Sequence, residues 1–151
     1  MGQSAKMLPA GRGSYVLLMR LDSPRTLTVG RLGRFEFPAG LYAYVGSAQG
    51  SGGLRARVGR HLRADKCAHW HVDALTAHAE VIAVWAVEST ERMECAWARS
   101  LRKMPGVEEP AAGFGASDCA CRTHLFRLDD TALDSVRAAL GGPDVIYLAR
   151  E

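Results

Sequence analysis

The chain has 151 residues, 48% of them hydrophobic and 23% charged, a balance that supports one folded domain with a real core and excludes a disordered chain. No apolar run approaches the roughly 18 residues of a membrane-spanning helix. The net charge of +3 suits a phosphate-rich partner without demanding one.

Residues 1–12 carry Lys6 and Arg12 but no apolar stretch of signal-peptide length. They read as a flexible lead-in to a domain spanning 13–151, with the cytosol as the expected compartment. Ser14 to Leu21 reads as a mostly buried strand, and Asp22 to Arg25 as a turn built on Ser23 and Pro24. Thr26 to Val29 and Arg34 to Phe37 then form a hairpin around Gly30-Arg31-Leu32-Gly33. Leu41 to Val45 is a further strand, placing Tyr42 and Tyr44 on one face. Gly46 to Gly53 is a loop, and Leu54 to Leu62 a helix with Leu54, Val58 and Leu62 on its stripe. A second helix covers His69 to His78, and Glu80 to Val87 is a strand. Thr90 to Met104 is the clearest helix, capped by Thr90, with Met93, Trp97, Leu101 and Met104 in register. Val107 to Ser117 reads as a loop. It is followed by a strand (His124 to Leu128), a helix (Thr131 to Leu140) and a last strand (Val145 to Leu148). Hairpins mixed with helices make the fold class α+β, with a mainly antiparallel sheet.

Chemistry concentrates where Tyr44-Val45-Gly46-Ser47 leads into the helix carrying Arg57 and His61. These two lie one turn apart, at about 100° and 60° from the centre of the apolar stripe, so both border the core. From Arg55 to Lys66 the chain carries Arg55, Arg57, Arg60, Arg63 and Lys66, opposed only by Asp65. Such a stretch can hold a phosphate backbone, and a solvated helix face reads equally well on charge alone. On the later helix Glu94 lies about 65° from the stripe centre, where an isolated charge must find a partner or a cation. Glu91 lies farther round, facing solvent.

The Tyr-Val-Gly-Ser strand followed by Arg57 and His61 resembles the second half of the GIY-YIG nuclease signature. The first half is Gly13-Ser14-Tyr15, with Gly40-Leu41-Tyr42 as the competing match. Ser14 stands where the family has an apolar residue. Further features resemble an uncharacterised branch of that superfamily, a domain of unknown function sometimes joined to endonuclease III-like proteins. They are Phe37-Pro38-Ala39-Gly40, Arg60-His61-Leu62, His69-Trp70-His71-Val72-Asp73, Glu94-Cys95-Ala96-Trp97-Ala98 and the run Gly113 to Cys119. Together they span most of the chain.

The resemblance implies a GIY-YIG-like sheet flanked by helices and a metal-dependent endonuclease that hydrolyses DNA phosphodiesters. Tyr15 would be the base, its proton made easier to lose by Arg57. Arg57 would grip the phosphate, His61 would relay protons and Tyr44 would position the water. Glu94 would hold one Mg²⁺ or Mn²⁺ ion. Ser47, Arg55, Arg60, Arg63, Lys66 and His71 are the expected nucleic-acid contacts. DNA is the expected partner, DNA repair the expected setting, and a homodimer or a DNA-repair partner is compatible with so small a basic domain.

The cysteines are Cys67, Cys95, Cys119 and Cys121, expected as reduced thiols rather than disulfides. Cys119, Cys121 and His124 offer three zinc ligands, with Cys67, His69 or His71 as a fourth. The Cys-x-Cys spacing is not that of a common zinc finger, so structural zinc is not expected, and mid-helix Cys95 reads as a packed thiol. Trp70, Trp85 and Trp97 read as core. Two rival functions remain: a non-catalytic nucleic-acid-binding module of the same fold, and a zinc-stabilised interaction domain.

Overall fold

Strand β1 (Gly13–Leu21) is the axis of the molecule. Eight of its nine residues are buried, because it lies between β4 (Gly40–Ala48) and β5 (Glu80–Glu88) and is covered on both faces. That burial explains why its sequence is mostly apolar rather than alternating. The computed structural model describes residues 8–63, 70–116 and 119–149.

The main sheet is six-stranded, in the order β6-β7-β4-β1-β5-β8, and its pairings are antiparallel. Its outer strands are β6 (Val107–Glu108), β7 (Leu125–Leu128) and β8 (Asp144–Leu148). A separate hairpin joins β2 (Arg25–Val29) to β3 (Gly33–Phe37). Four helices flank the sheet: α1 (Gly53–Leu62), α2 (His71–Thr76), α3 (Glu94–Arg102) and α4 (Leu133–Ala139), the last entered through a short 3₁₀ turn. This is the single α+β domain with a mainly antiparallel sheet that the residue pattern predicts.

Alternate residues of β1 face opposite cores. Tyr15, Leu17 and Met19 pack with Leu54 and Val58 of α1, Val72 and Leu75 of α2, and Phe37 of the hairpin. Val16 and Leu18 pack on the other side with Trp97 and Leu101 of α3 and Val136 near the end of the chain. Truncating one of these fully buried leucines to Ala would cost about 2–5 kcal/mol.

Several boundaries differ from those expected. β4 runs on to Ala48, because its Ser47 and Ala48 pair with Ser14 and Gly13. α3 begins at Glu94 rather than Thr90, and the Ser14 hydroxyl, not Thr90, accepts from the Met93 N–H at its head (2.9 Å). α2 is one and a half turns rather than three. β6 lies inside a segment read as loop, too short to leave a period in the sequence. Residues 8–12, read as part of a flexible lead-in, are held in place. Leu8 is fully buried, the Gly11 carbonyl accepts from the Leu54 N–H, and the Arg12 carbonyl accepts from the Ser89 N–H. No helix among the described residues is long and apolar enough to cross a membrane.

Candidate functional site

The cleft opens at the end of the sheet where β1 starts and β4 finishes. It has a volume of about 600 Å³, and Tyr15, Tyr44, Ser47, Arg57, His71 and Glu94 all line it. Six of the sequence-predicted site residues, drawn from five separate elements, therefore meet at one opening.

Tyr15 reaches the cleft floor because it starts β1 opposite Gly46, with its side chain on the α1 face. Its hydroxyl lies 2.8 Å from Nε2 of His61, which is buried on α1 directly behind it. Tyr42, the competing first-motif tyrosine, is elsewhere: its hydroxyl donates to the Pro38 carbonyl, outside the cleft. Arg57 does ease proton loss from Tyr15, as expected, but burial outweighs it. Burial pushes the Tyr15 phenol well above its ordinary value, Tyr44 and Glu94 push the same way, and Arg57 offsets only part of this. Tyr44 is likewise raised, to about 12, chiefly by burial.

Arg57 donates to the Ser47 carbonyl (3.0 Å), and its guanidinium lies 4.5 Å from the ring centre of Trp70. Trp70 also carries Arg60 on its ring, at 4.1 Å. It is thus a platform for two arginines at the cleft edge, whereas Trp85 and Trp97 are core as expected. Arg60 itself forms a two-pronged ion pair with buried Asp73 (3.0 and 3.1 Å), so its charge is used in holding α1 to α2. Arg55 turns away, donating to the Leu8 carbonyl. Arg63 is exposed at the end of α1, away from the cleft lining. Lys66, Cys67 and His69 lie outside the described residues.

His71 is fixed by the loop between β6 and β7: the Gly115 N–H donates to its Nδ1 at 2.8 Å, so the neutral ring carries its proton on Nε2. Gly115 is required there twice over. Its φ is +70°, and an added Cβ would stand 2.7 Å from the Tyr44 ring.

Glu94 is the first residue of α3, held over the cleft by the Ser14 contact one residue earlier. Its side chain is 12% exposed, and Arg92 approaches one carboxylate oxygen only to 4.0 Å. The other oxygen, Oε1, is buried without a hydrogen-bond partner among the described residues. Burying half a carboxylate in this way is costly unless a cation completes it.

Beside Glu94 the sequence expectation about metals is overturned. Cys95, Cys119, Cys121 and His124 place their four ligand atoms within 4.8 Å of one another. This Cys₃His set is a zinc-type donor group, which corrects the expected cofactor of one Mg²⁺ or Mn²⁺ ion without structural zinc. Three of the four were visible as Cys-x-Cys-x-x-His. Among the described residues the fourth is Cys95 rather than His71. No sequence signal identifies it, because only the packing of α3 against the loop brings it near. Cys67 and His69, the other two candidates, lie outside the described residues. Burial and the neighbouring thiols push Cys95 up to about 12, and burial lowers His124. Sequence reasoning also passed over Arg92 and Gln49 in the cleft lining.

No curated protein and no solved structure matches the chain. One family model matches it over residues 14–142, a span that takes in all the cleft residues and the four cysteine and histidine donors. The chain belongs to the family described as Domain of unknown function DUF123.

Proposed function

We propose that the chain is a phosphodiester hydrolase of the GIY-YIG type, acting as an endonuclease on DNA. The observation that supports this most is the meeting of Tyr15, Tyr44, Arg57 and Glu94, from four different elements, in one open cleft with His61 behind Tyr15. The branch of that superfamily sometimes joined to endonuclease III-like proteins is the one this chain resembles along most of its length, and DNA repair is the setting that follows.

Each residue has a role that phosphodiester hydrolysis requires. Arg57 lines the cleft, and its guanidinium has more donors than the single one the Ser47 carbonyl takes. It would grip two oxygens of the scissile phosphate and stabilise the charge that grows there. With its pKa raised by burial, Tyr15 does not stand ready as a free phenolate. It would instead accept the proton of the attacking water while passing its own to His61 Nε2, ending as phenol beside an imidazolium. Tyr44, which stays protonated, would donate a hydrogen bond to hold the water in line. His71, carrying its proton on Nε2, suits a phosphate contact. Glu94 would hold a divalent cation, a use that its unpartnered buried oxygen fits, and such an ion would supply neutralising charge to the leaving oxygen.

The test is cleavage of end-labelled single-stranded, duplex and branched DNA, and of RNA, by wild type, Glu94→Ala and Arg57→Ala. Wild type should cut, and Arg57→Ala should fall by on the order of 10²–10³ in rate. DNA bound but never cut by wild type would replace the hydrolase with a binding module. Equal cutting by all three proteins would remove these residues from the site.

A further inference from the structure

We infer that Cys95, Cys119, Cys121 and His124 bind one zinc ion in a closed four-ligand centre that fastens α3 to the loop between β6 and β7. The inference is independent of the hydrolase reading.

Geometry argues first. For zinc with sulfur at about 2.3 Å and nitrogen at about 2.0–2.1 Å, a tetrahedron requires sulfur–nitrogen separations near 3.6 Å and sulfur–sulfur separations near 3.8 Å. Here His124 Nε2 lies 3.4 Å from Cys119 Sγ and 3.8 Å from Cys95 Sγ. No pair among the four ligand atoms exceeds 4.8 Å, so the widest must close by about 1 Å to meet that tetrahedron. Small rotations about the cysteine side-chain bonds can supply that.

Pre-organisation argues second. The His124 N–H donates to the Phe114 carbonyl, and the His124 carbonyl accepts from the Val45 N–H. Its backbone is therefore fixed to the end of the sheet before any ion arrives. Cys95 is fixed on α3, whose head is held by Ser14. An ion joining them would link two parts of the chain that are distant in sequence, α3 and the segment from Cys119 to His124.

The donor set selects the metal. Three thiolates and an imidazole are soft ligands that favour zinc over magnesium, calcium or manganese. Four protein ligands leave no open position for water or substrate, so the ion is structural and takes no part in bond cleavage. Its entry route is visible: Cys119 and His124 face the main cleft, while Cys121 faces a second depression beside Arg99 and Arg122. With zinc bound the centre carries a net charge of about −1, summed from three thiolates and a divalent ion, and those arginines lie beside it.

The experiment measures metal in the full chain purified without chelator, by plasma mass spectrometry. About one zinc per chain is expected, and Cys121→Ser should lower it by roughly tenfold or more after dialysis. Cobalt-grown protein should show thiolate-to-cobalt charge transfer and the intense visible bands of a tetrahedral ion, a readout that does not need any variant to fold. Glu94→Ala should keep its zinc, which separates this centre from the Glu94 carboxylate, and loss of DNA cleavage would leave the result untouched. Wild type without stoichiometric zinc, iron in its place, or full zinc in Cys121→Ser would overturn the inference.

Discussion

The phenol of Tyr15 lies across the backbone of Gly46: a Cβ added at position 46 would stand 2.5 Å from the Tyr15 hydroxyl oxygen. The two residues are direct partners across β1 and β4. Gly46 is thus a glycine for the sake of its neighbour's ring rather than its own backbone angles. Gly46→Ala must displace Tyr15 from His61 or shift the strand pair, at about 1–3 kcal/mol. Urea unfolding should show that loss, and Tyr15→Phe combined with Gly46→Ala should cost less than the sum of the two.

Glu94 makes a prediction of the opposite sign. One of its carboxylate oxygens is buried without a partner, so the residue costs stability when no cation is bound. Glu94→Gln, measured in chelator, should match or exceed wild type, by on the order of 1 kcal/mol. With the Cys95/Cys119/Cys121/His124 centre already filled, a further divalent cation should raise the thermal midpoint of wild type and leave that of Glu94→Gln unmoved. A variant clearly less stable than wild type in chelator would show that the carboxylate has a structural partner.

Ser14 is a cap supplied from another element. Its hydroxyl accepts from the Met93 N–H, one residue before Glu94, a contact worth about 0.5–2 kcal/mol in the manner of helix caps. Ser14→Val keeps the apolar burial but leaves that N–H unanswered. The expected result is a lowered urea midpoint together with faster amide exchange at the head of α3.

Tyr44 and Tyr42 have pKa values pushed up from 10.0 to about 12, mainly by burial, and Tyr15 is raised in the same direction. The folded state therefore holds these protons more tightly than the unfolded chain. Their contribution is fully present below pH 10 and is lost as pH rises toward 12. Unfolding free energy should fall across that window, and Tyr44→Phe should flatten the slope. The tyrosinate absorbance that Tyr44→Phe removes from an alkaline titration should be absorbance that appears with unfolding rather than before it.

The elements were legible because their periods are clean: a mostly apolar run for β1, i/i+4 spacing for α1, a two-glycine turn for the hairpin. The motif residues Tyr15, Tyr44, Arg57 and Glu94 were legible because their residue types and order form a recognisable string. What was hidden depends on contacts between distant parts of the chain. Arg60 belongs to a basic stretch by sequence, yet in space it answers Asp73. Cys95 looks like a packed helical thiol until the loop bearing Cys119 and Cys121 folds against it. The lowered tendency of Tyr15 to ionise is a burial effect that no spacing reveals.

The glycine under the Tyr15 ring also bears on how the chain finds its alignment. A slip of one residue between β1 and β4 would turn Tyr15 toward the opposite core. A slip of two would keep the face but set Tyr15 against Tyr44 or Ala48, both with side chains where the phenol must lie. Of these registers only the native one sets a bare backbone under the ring, so the fit favours that alignment of β1 with β4. The same fit that seats a cleft residue thereby helps to specify the register of the central strand pair.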